Sequence, residues 1–319
     1  MKEVALITGA AGFIGSHLAE RLAQSGYRVI GLDNFDDYYS RKIKWGNVRT
    51  LQAMEDFQLE QGDIRDTNLL TRIFSENSIS VIAHLAARAG VRPSLEQPLL
   101  YQDVNIGGTV NLLETSRAYG TRQFIFASSS SVYGLNGKAP FSEEANTDSP
   151  VSPYAASKAS AELFCRAYSH LYGLPVVVLR LFTVYGPRQR PEMAIHRFVR
   201  MVDRGEEVTL FGDGTTSRDY TYIDDIIDGF EATLALRGET FQVFNLGGGR
   251  DISLSYLIKL IEETLGKKAR IRYCPPPPGE VSITLADISK AQSFLSYKPR
   301  VSIKEGVSLF VRWYLENRR

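Results

Sequence analysis

The sequence predicts an α/β protein with a doubly wound parallel sheet and a smaller C-terminal α/β unit. Three observations carry that prediction. Short apolar runs alternate with helical periodicity through the first half of the 319 residues. A glycine-rich turn, Thr8–Gly15, separates the first such run from the first helical pattern. Beyond Leu181 the alternation thins and turn clusters take over. Strands alternating with helices favour parallel pairing through right-handed crossovers.

Element by element, Val4–Thr8 reads as the first strand. Phe13 to Gln24 follows as a helix with Ile14, Leu18 and Leu22 on one face. Further strands are expected at Arg28–Asp33, Phe57–Glu60, Val81–Leu85, Gln123–Ala127 and Pro175–Leu181. Helices are expected at about Thr67–Phe74, as one piece over Leu99–Tyr119, and from near Tyr154 onward. Residues 34–56 form an insertion rich in Tyr, Arg and Lys with no assigned role. Turn clusters lie at Gly186–Pro191 and Gly212–Ser217, and Pro275–Pro278 is expected to be an extended surface segment. The division expected is 1–181 for a first domain, with 224–246 returning to it, and 182–319 for most of a second.

Composition limits the partners. Apolar residues make up 44% and charged residues 23%, ordinary for a globular chain with a sizeable core. The net charge of +1 gives no reason to expect nucleic acid or a membrane surface. No apolar run approaches the ~20 residues needed to span a bilayer, and residues 1–8 lack a signal-peptide layout. Cys165 and Cys274 make no metal-ligand spacing, and no metal is expected. One disulfide or two reduced thiols would both fit, and the cytoplasmic, reduced state is the expectation.

Gly9, Gly12 and Gly15 have GxxGxxG spacing between a strand and a helix, the setting that makes a glycine pattern informative. Gly9 suits a tight turn. Gly12 lets a pyrophosphate approach backbone N–H groups at a positive helix end, and Gly15 lets the helix lie close to the sheet. Asp33 ends the second strand, where a carboxylate accepts from ribose hydroxyls and repels a 2′-phosphate, favouring NAD over NADP. Asp63 either bonds an adenine amine or starts a turn.

Tyr154 and Lys158 are spaced i,i+4 at a helix start, just after Ser152-Pro153, so both face one way. An ammonium near a phenol lowers the phenol's pKa from ~10 and makes it a usable general base. Upstream, Ser128 to Ser131 leave the end of a strand, the place where ligands bind in open α/β sheets.

GxxGxxG, Asp33, His84-Leu85-Ala86-Ala87, the serine run, YxxxK and Arg218–Asp225 occur in that order along nearly the whole chain. This resembles the extended short-chain dehydrogenase/reductase superfamily, Rossmann-type enzymes, in its nucleotide-sugar epimerase and dehydratase branch. The resemblance implies a catalytic triad of Ser129, Tyr154 and Lys158. It implies NAD contacts from Gly9, Ala11, Gly12, Phe13, Ile14, Gly15, Asp33, Asn34, Asp63, Ile64, Leu85, Ala86 and Ala87, with Tyr154 and Lys158. It also implies Arg218 on the UDP phosphates, Phe211 against the uracil, and a homodimer joined through the helices Leu99–Tyr119 and Tyr154–Leu171.

Local residues select a reaction within that branch. The dehydratases carry an Asp-Glu pair where Ser130 and Ser131 stand here, and the decarboxylases carry Glu at the position of Ser131. Both departures point to epimerisation. The segments around Arg92 and from Phe182 to Pro191 look most like UDP-glucuronate 4-epimerases, with Thr183 in place of the Asn common in UDP-galactose 4-epimerases. Arg190 is then the expected partner of a C6 carboxylate, aided by Thr183. Arg188 and Arg190 as solvated turn residues or phosphate ligands stay open. Alternatives are a UDP-glucose or UDP-N-acetylglucosamine 4-epimerase, a UDP-glucuronate decarboxylase and a non-catalytic NAD-sensing regulator. His84, His17 and His196 are read as structural.

Overall fold

Apolar runs too short for helices build the central sheet. The computed structural model describes residues 2–135, 138–236, 240–275 and 282–318. The expectation for Pro275–Pro278 falls mostly outside them.

In chain order, β1 (Val4–Thr8) leads into α1 (Phe13–Gln24), then β2 (Arg28–Asp33), α2 (Arg41–Gln52), β3 (Phe57–Gln61), α3 (Thr67–Glu76) and β4 (Ile79–His84). Two short helices follow, α4 (Val91–Glu96) and α5 (Pro98–Tyr101), then a π-helical stretch over Gln102–Gly107 and α6 (Gly108–Tyr119). Next come β5 (Gln123–Ser129), a 3₁₀ turn over Ser130–Tyr133, α7 (Pro153–Tyr172) and β6 (Val176–Leu181). The remainder is β7 (Thr183–Tyr185), α8 (Ala194–Arg204), β8 (Glu207–Phe211), β9 (Ser217–Tyr222), α9 (Ile223–Thr233) and β10 (Phe241–Leu246). β11 (Asp251–Ser253), α10 (Leu254–Leu265), β12 (Arg270–Cys274), β13 (Ile283–Thr284), α11 (Ser289–Leu295) and α12 (Ile303–Asn317) complete the chain.

Seven strands form one sheet in the order β10-β6-β5-β4-β1-β2-β3. β1 pairs in parallel with both β2 and β4, β2 with β3, and β4 with β5. The strand order reverses between β1 and β4, the crevice where ligands bind in doubly wound sheets. The expected α/β fold is therefore the one observed. β1 is buried along its whole length, as a strand covered on both faces must be. Leu6, Ile30, Leu32, Ile82, Phe124, Phe126 and Val178 lie in one core cluster with Leu112 and Leu113 of α6.

The chain divides into two compact units. The first holds residues 1–136, 145–180 and 227–244, the second 137–144, 181–226 and 245–319. The boundaries differ from those expected at 1–181 and 224–246. Residues 137–144 join the second unit because Phe141 is bonded there. Its N–H donates to Leu285 O at 2.7 Å, and its carbonyl accepts from Asp287 N at 3.0 Å. Within the second unit, β11, β9 and β13 form a sheet that β7 joins through β9, and β12 pairs in parallel with β8. Helices α8, α10 and α12 bury Phe198, Leu257 and Phe310.

One helical expectation needs correction. Leu99–Tyr119 is not one helix but α5, the π-helical stretch and α6. The bulge accompanies buried Asn105, whose amide donates to Arg88 O and to Ser157 Oγ while its carbonyl oxygen accepts from Arg88 N. The insertion 34–56 contains α2, which buries Lys44, Asn47, Val48 and Leu51. Among the described residues no helix is long and apolar enough to cross a membrane.

Candidate active site

In the first unit, the turn after β1 is shaped by backbone contacts that only glycine permits. Gly9 has φ +73°, and a Cβ there would lie 2.8 Å from Ala86 N. A Cβ on Gly15 would lie 2.1 Å from Gly9 O. Gly12 caps α1 without a side chain, so no residue of its own covers the first amides of that helix. Phe13 is buried and Ile14 half-buried just inside it. Leu85, Ala86 and Ala87 run beside the turn: Leu85 N–H donates to Thr8 O and Ala86 N–H to Thr8 Oγ1. Asp33 is buried at the end of β2. Its two oxygens accept from Ala11 N at 2.9 Å and from Phe35 N at 2.8 Å. Burial raises its pKa, and the nearby Lys44 and both N–H donors oppose the rise. The open helix end, the carboxylate and the Cβ-free cradle fit a dinucleotide.

Next to Asp33, Asn34 donates to Asp63 at 2.8 Å. Asp63 also accepts from Arg65, whose hydrogen bonds hold its pKa down at about 2. Ile64 is buried against Gly108. Asn47 donates to Ala11 O inside the glycine turn, and Lys44 Nζ to Asp36 O. These α2 residues brace the glycine turn and the loop after β2. Their signal was helical spacing, Lys44 to Val48 and Asn47 to Leu51, obscured because half of that face is polar.

α7 starts with Ser152 Oγ accepting from Ala155 N, and Pro153 occupies the first position. Both are standard helix-opening chemistry. Tyr154 is half-buried, with its ring edge-on to Tyr101 at 6.2 Å. One turn on, Lys158 is buried. Its Nζ donates to Ala127 O at 2.7 Å and sits 4.7 Å above the Phe126 ring. Burial pushes its pKa down to about 8, with Cys165 and Glu162 pulling the other way. Ser129 ends β5, half-buried. Its Oγ accepts from Ser131 N–H at 3.2 Å and lies 2.8 Å from Ser131 Oγ. Ser130 is also half-buried, while Arg92 on α4 is exposed. His84 is buried between Thr8 and Thr109, and burial holds its pKa near about 3.

The second unit carries the other sequence-assigned residues. Thr183 opens β7 opposite Tyr220 of β9. Arg190 faces Glu192 at 3.3 Å. Phe211 ends β8 opposite Cys274, and a hollow of about 550 Å³ lies beside it, lined by Gly212, Asp213, Tyr273, Cys274 and Pro275. Arg218 on β9 donates to Ser217 O. Its neighbour Asp219, fully buried, accepts from the N–H groups of Gly248, Gly249 and Ala286 and so pins the turn after β10. His196 Nδ1 lies 2.7 Å from Gln189 O, and its ring packs against Phe310. Both cysteines are free.

This arrangement can be set beside known proteins. Residues 6–310 match the GDP-mannose 4,6 dehydratase family. The chain belongs to that family. A UDP-glucuronate 4-epimerase of Thermodesulfobacterium geofontis is 45% identical over 98% of this chain and 96% of the relative. A crystal structure of UDP-glucuronic acid 4-epimerase from Bacillus cereus with UDP-glucuronic acid and NAD superposes with TM-score 0.92. It is 40% identical and covers 98% of this chain and 99% of that one. A UDP-glucose 4-epimerase from Thermotoga maritima, solved with UDP-glucose, gives TM-score 0.89 at 35% identity over 99% and 100%. The family thus includes enzymes of several reactions.

Proposed function

We propose that this protein is a UDP-glucuronate 4-epimerase that retains NAD and acts through a transient 4-keto sugar. The carrying observation is the α7–β5 arrangement: a phenol and a buried ammonium one turn apart, on a helix whose lysine is bonded to the strand bearing Ser129. The glycine turn with Asp33 supports NAD, as do the relatives crystallised with it. When bound, NAD would supply a hydride acceptor for C4 of the sugar and a donor back to its opposite face, so no net redox change would result. Tyr154 Oη accepts the proton of the 4-hydroxyl and later gives it back. The Lys158 ammonium favours the phenolate electrostatically and is assigned to the nicotinamide ribose. Ser129 Oγ holds the reacting oxygen. Ser130 and Ser131 supply hydroxyls and no acid, so water is not eliminated.

The first unit is proposed to hold NAD and the second the nucleotide sugar. Arg218 and Phe211 are assigned to the UDP, Arg190 and Thr183 to the sugar carboxylate, and Arg92 to the substrate. Loss of CO₂ from a 4-keto uronate requires the C5–carboxylate bond to align with the carbonyl π system. A bidentate guanidinium that keeps the bond near the ring plane suppresses it. We further propose a cytoplasmic homodimer. Support comes from the free thiols and from exposed Leu163, Phe164, Leu171 and Tyr172 on α7.

The test is incubation of the purified protein with UDP-glucuronate and no added NAD, followed by NMR. UDP-galacturonate without CO₂ is the expected product. CO₂ with a UDP-pentose would replace the reading by a decarboxylase. Turnover of UDP-glucose alone would replace it by a neutral-sugar epimerase.

A further inference from the structure

One turn beyond Lys158 on α7 stands Glu162, an acid that the reaction above does not use. It is 7% exposed and faces Arg180 of β6, 5% exposed. Arg180 Nε and Nη2 donate to its carboxylate at 3.1 and 2.8 Å. Taking two charges out of water is repaid only when the remaining donors and lone pairs are also used. Here they are used on particular targets. Ser128 Oγ donates to Glu162. Arg180 Nη1 bonds Tyr133 Oη at 3.2 Å, and the guanidinium lies 4.9 Å over that ring.

Ser128 immediately precedes Ser129, and Tyr133 closes the 3₁₀ turn that carries Ser130 and Ser131. The ion pair therefore grips both ends of the hydroxyl-bearing segment. It does so from the same helix that carries Tyr154 and Lys158. Successive strand residues project to opposite faces, so holding Ser128 also fixes where Ser129 points. An apolar pair of similar volume would stabilise the fold as well or better, but it could not hold two hydroxyls in direction.

We propose that the Glu162–Arg180 ion pair is a positioning device, clamping Ser128 and Tyr133 so that Ser129 and its turn keep a fixed geometry to the Tyr154 phenol. The reaction it serves rests on the epimerase reading; the clamp itself is a property of the first unit. Removing Glu162 or Arg180 alone strands a buried charge and threatens the fold. The test therefore uses Ser128→Ala, Tyr133→Phe and the double variant, in the full chain with its retained cofactor. Melting temperature, kcat and KM for UDP-glucuronate, and crystal structures of wild type and double variant are measured. The double variant is expected to melt within a few degrees of wild type, with KM unchanged. Misplaced reacting groups should lower its kcat about ten- to hundredfold, and the Ser130–Tyr133 turn should be displaced. A kcat near that of wild type, a loss confined to KM, or an unmoved turn overturns the proposal. A wild-type protein that converts no UDP-glucuronate strikes the epimerase reading alone. The turn's position in the two crystal structures still decides the clamp.

Discussion

Lys158 is placed where its charge is hard to keep. Its buried ammonium has a pKa pushed down to about 8. Between that value and the unfolded lysine value the unfolded chain binds more protons than the folded one. Stability from this group therefore rises with pH across the window, while the ammonium that favours the Tyr154 phenolate is lost. Activity is predicted to fall on the alkaline side of about 8 with no matching loss of folded protein. A kcat–pH series read beside a melting series checks this, and a flat kcat through that window would remove the electrostatic role. Lys158→Met should lower kcat by roughly 10²–10⁴-fold, the usual range for proton-transfer catalysis. At the substrate's acid group, Arg190→Ala should slow UDP-glucuronate turnover and raise CO₂ release. If NMR shows neither change, Arg190 serves the turn, where it pairs with Glu192, and not the substrate. Tyr154 and Lys158 were legible because i,i+4 spacing is a local signal. Glu162, Arg180 and Asn105 were not, since their partners Ser128, Tyr133 and Arg88 lie far away in the chain and no local pattern marks them.

Helix α7 is the element on which the proposed chemistry depends, and its start is fixed by one hydroxyl. Ser152 Oγ accepts from Ala155 N at 3.1 Å. Ser152→Ala should cost about 1 kcal/mol of stability, the usual value for an N-cap. A lower melting midpoint by calorimetry is the expected reading; an unchanged midpoint would mean that tertiary packing alone fixes this end. The start of α7 could be read from Ser-Pro followed by YxxxK. The interruption ahead of α6 could not. No proline breaks the run, so Leu99–Tyr119 reads as continuous, while the π-helical turn directs Asn105 toward Arg88 and Ser157. Such turns recur at functional sites, and this one braces the loop beside Gly9. The α2 helix was hidden for the opposite reason: its buried face uses Lys44 and Asn47, polar groups held by Asp36 O and Ala11 O.

At the scale of the whole chain, six strands of the seven-stranded sheet were legible because each is written in consecutive residues; β10, which rejoins the sheet only after residues 181–226 of the second unit, was not. The assignment of residues 137–144 to the second unit was not legible either, because it depends on Phe141 meeting Leu285 and Asp287, residues remote from it in the sequence. Assembly is the remaining property at this scale. Along α7 the side chains of Leu163, Phe164, Leu171 and Tyr172 are exposed by 68%, 40%, 66% and 51%, and Tyr119 at the end of α6 by 44%. Positions 164, 168, 171 and 172 follow helical spacing, so the apolar groups form a stripe. Tyr168, within it, bonds Glu114 of α6 and ties the two helices together. A stripe of this kind on a near-neutral chain suits a self-complementary two-fold contact, in which one patch covers its own copy. Light scattering is expected to give twice the 35.6 kDa chain mass. Leu163→Glu with Leu171→Glu should give the single-chain mass with the unit still folded, because neither side chain is buried in it. A wild-type protein that runs as a monomer at micromolar concentration would show that this face does not join two copies.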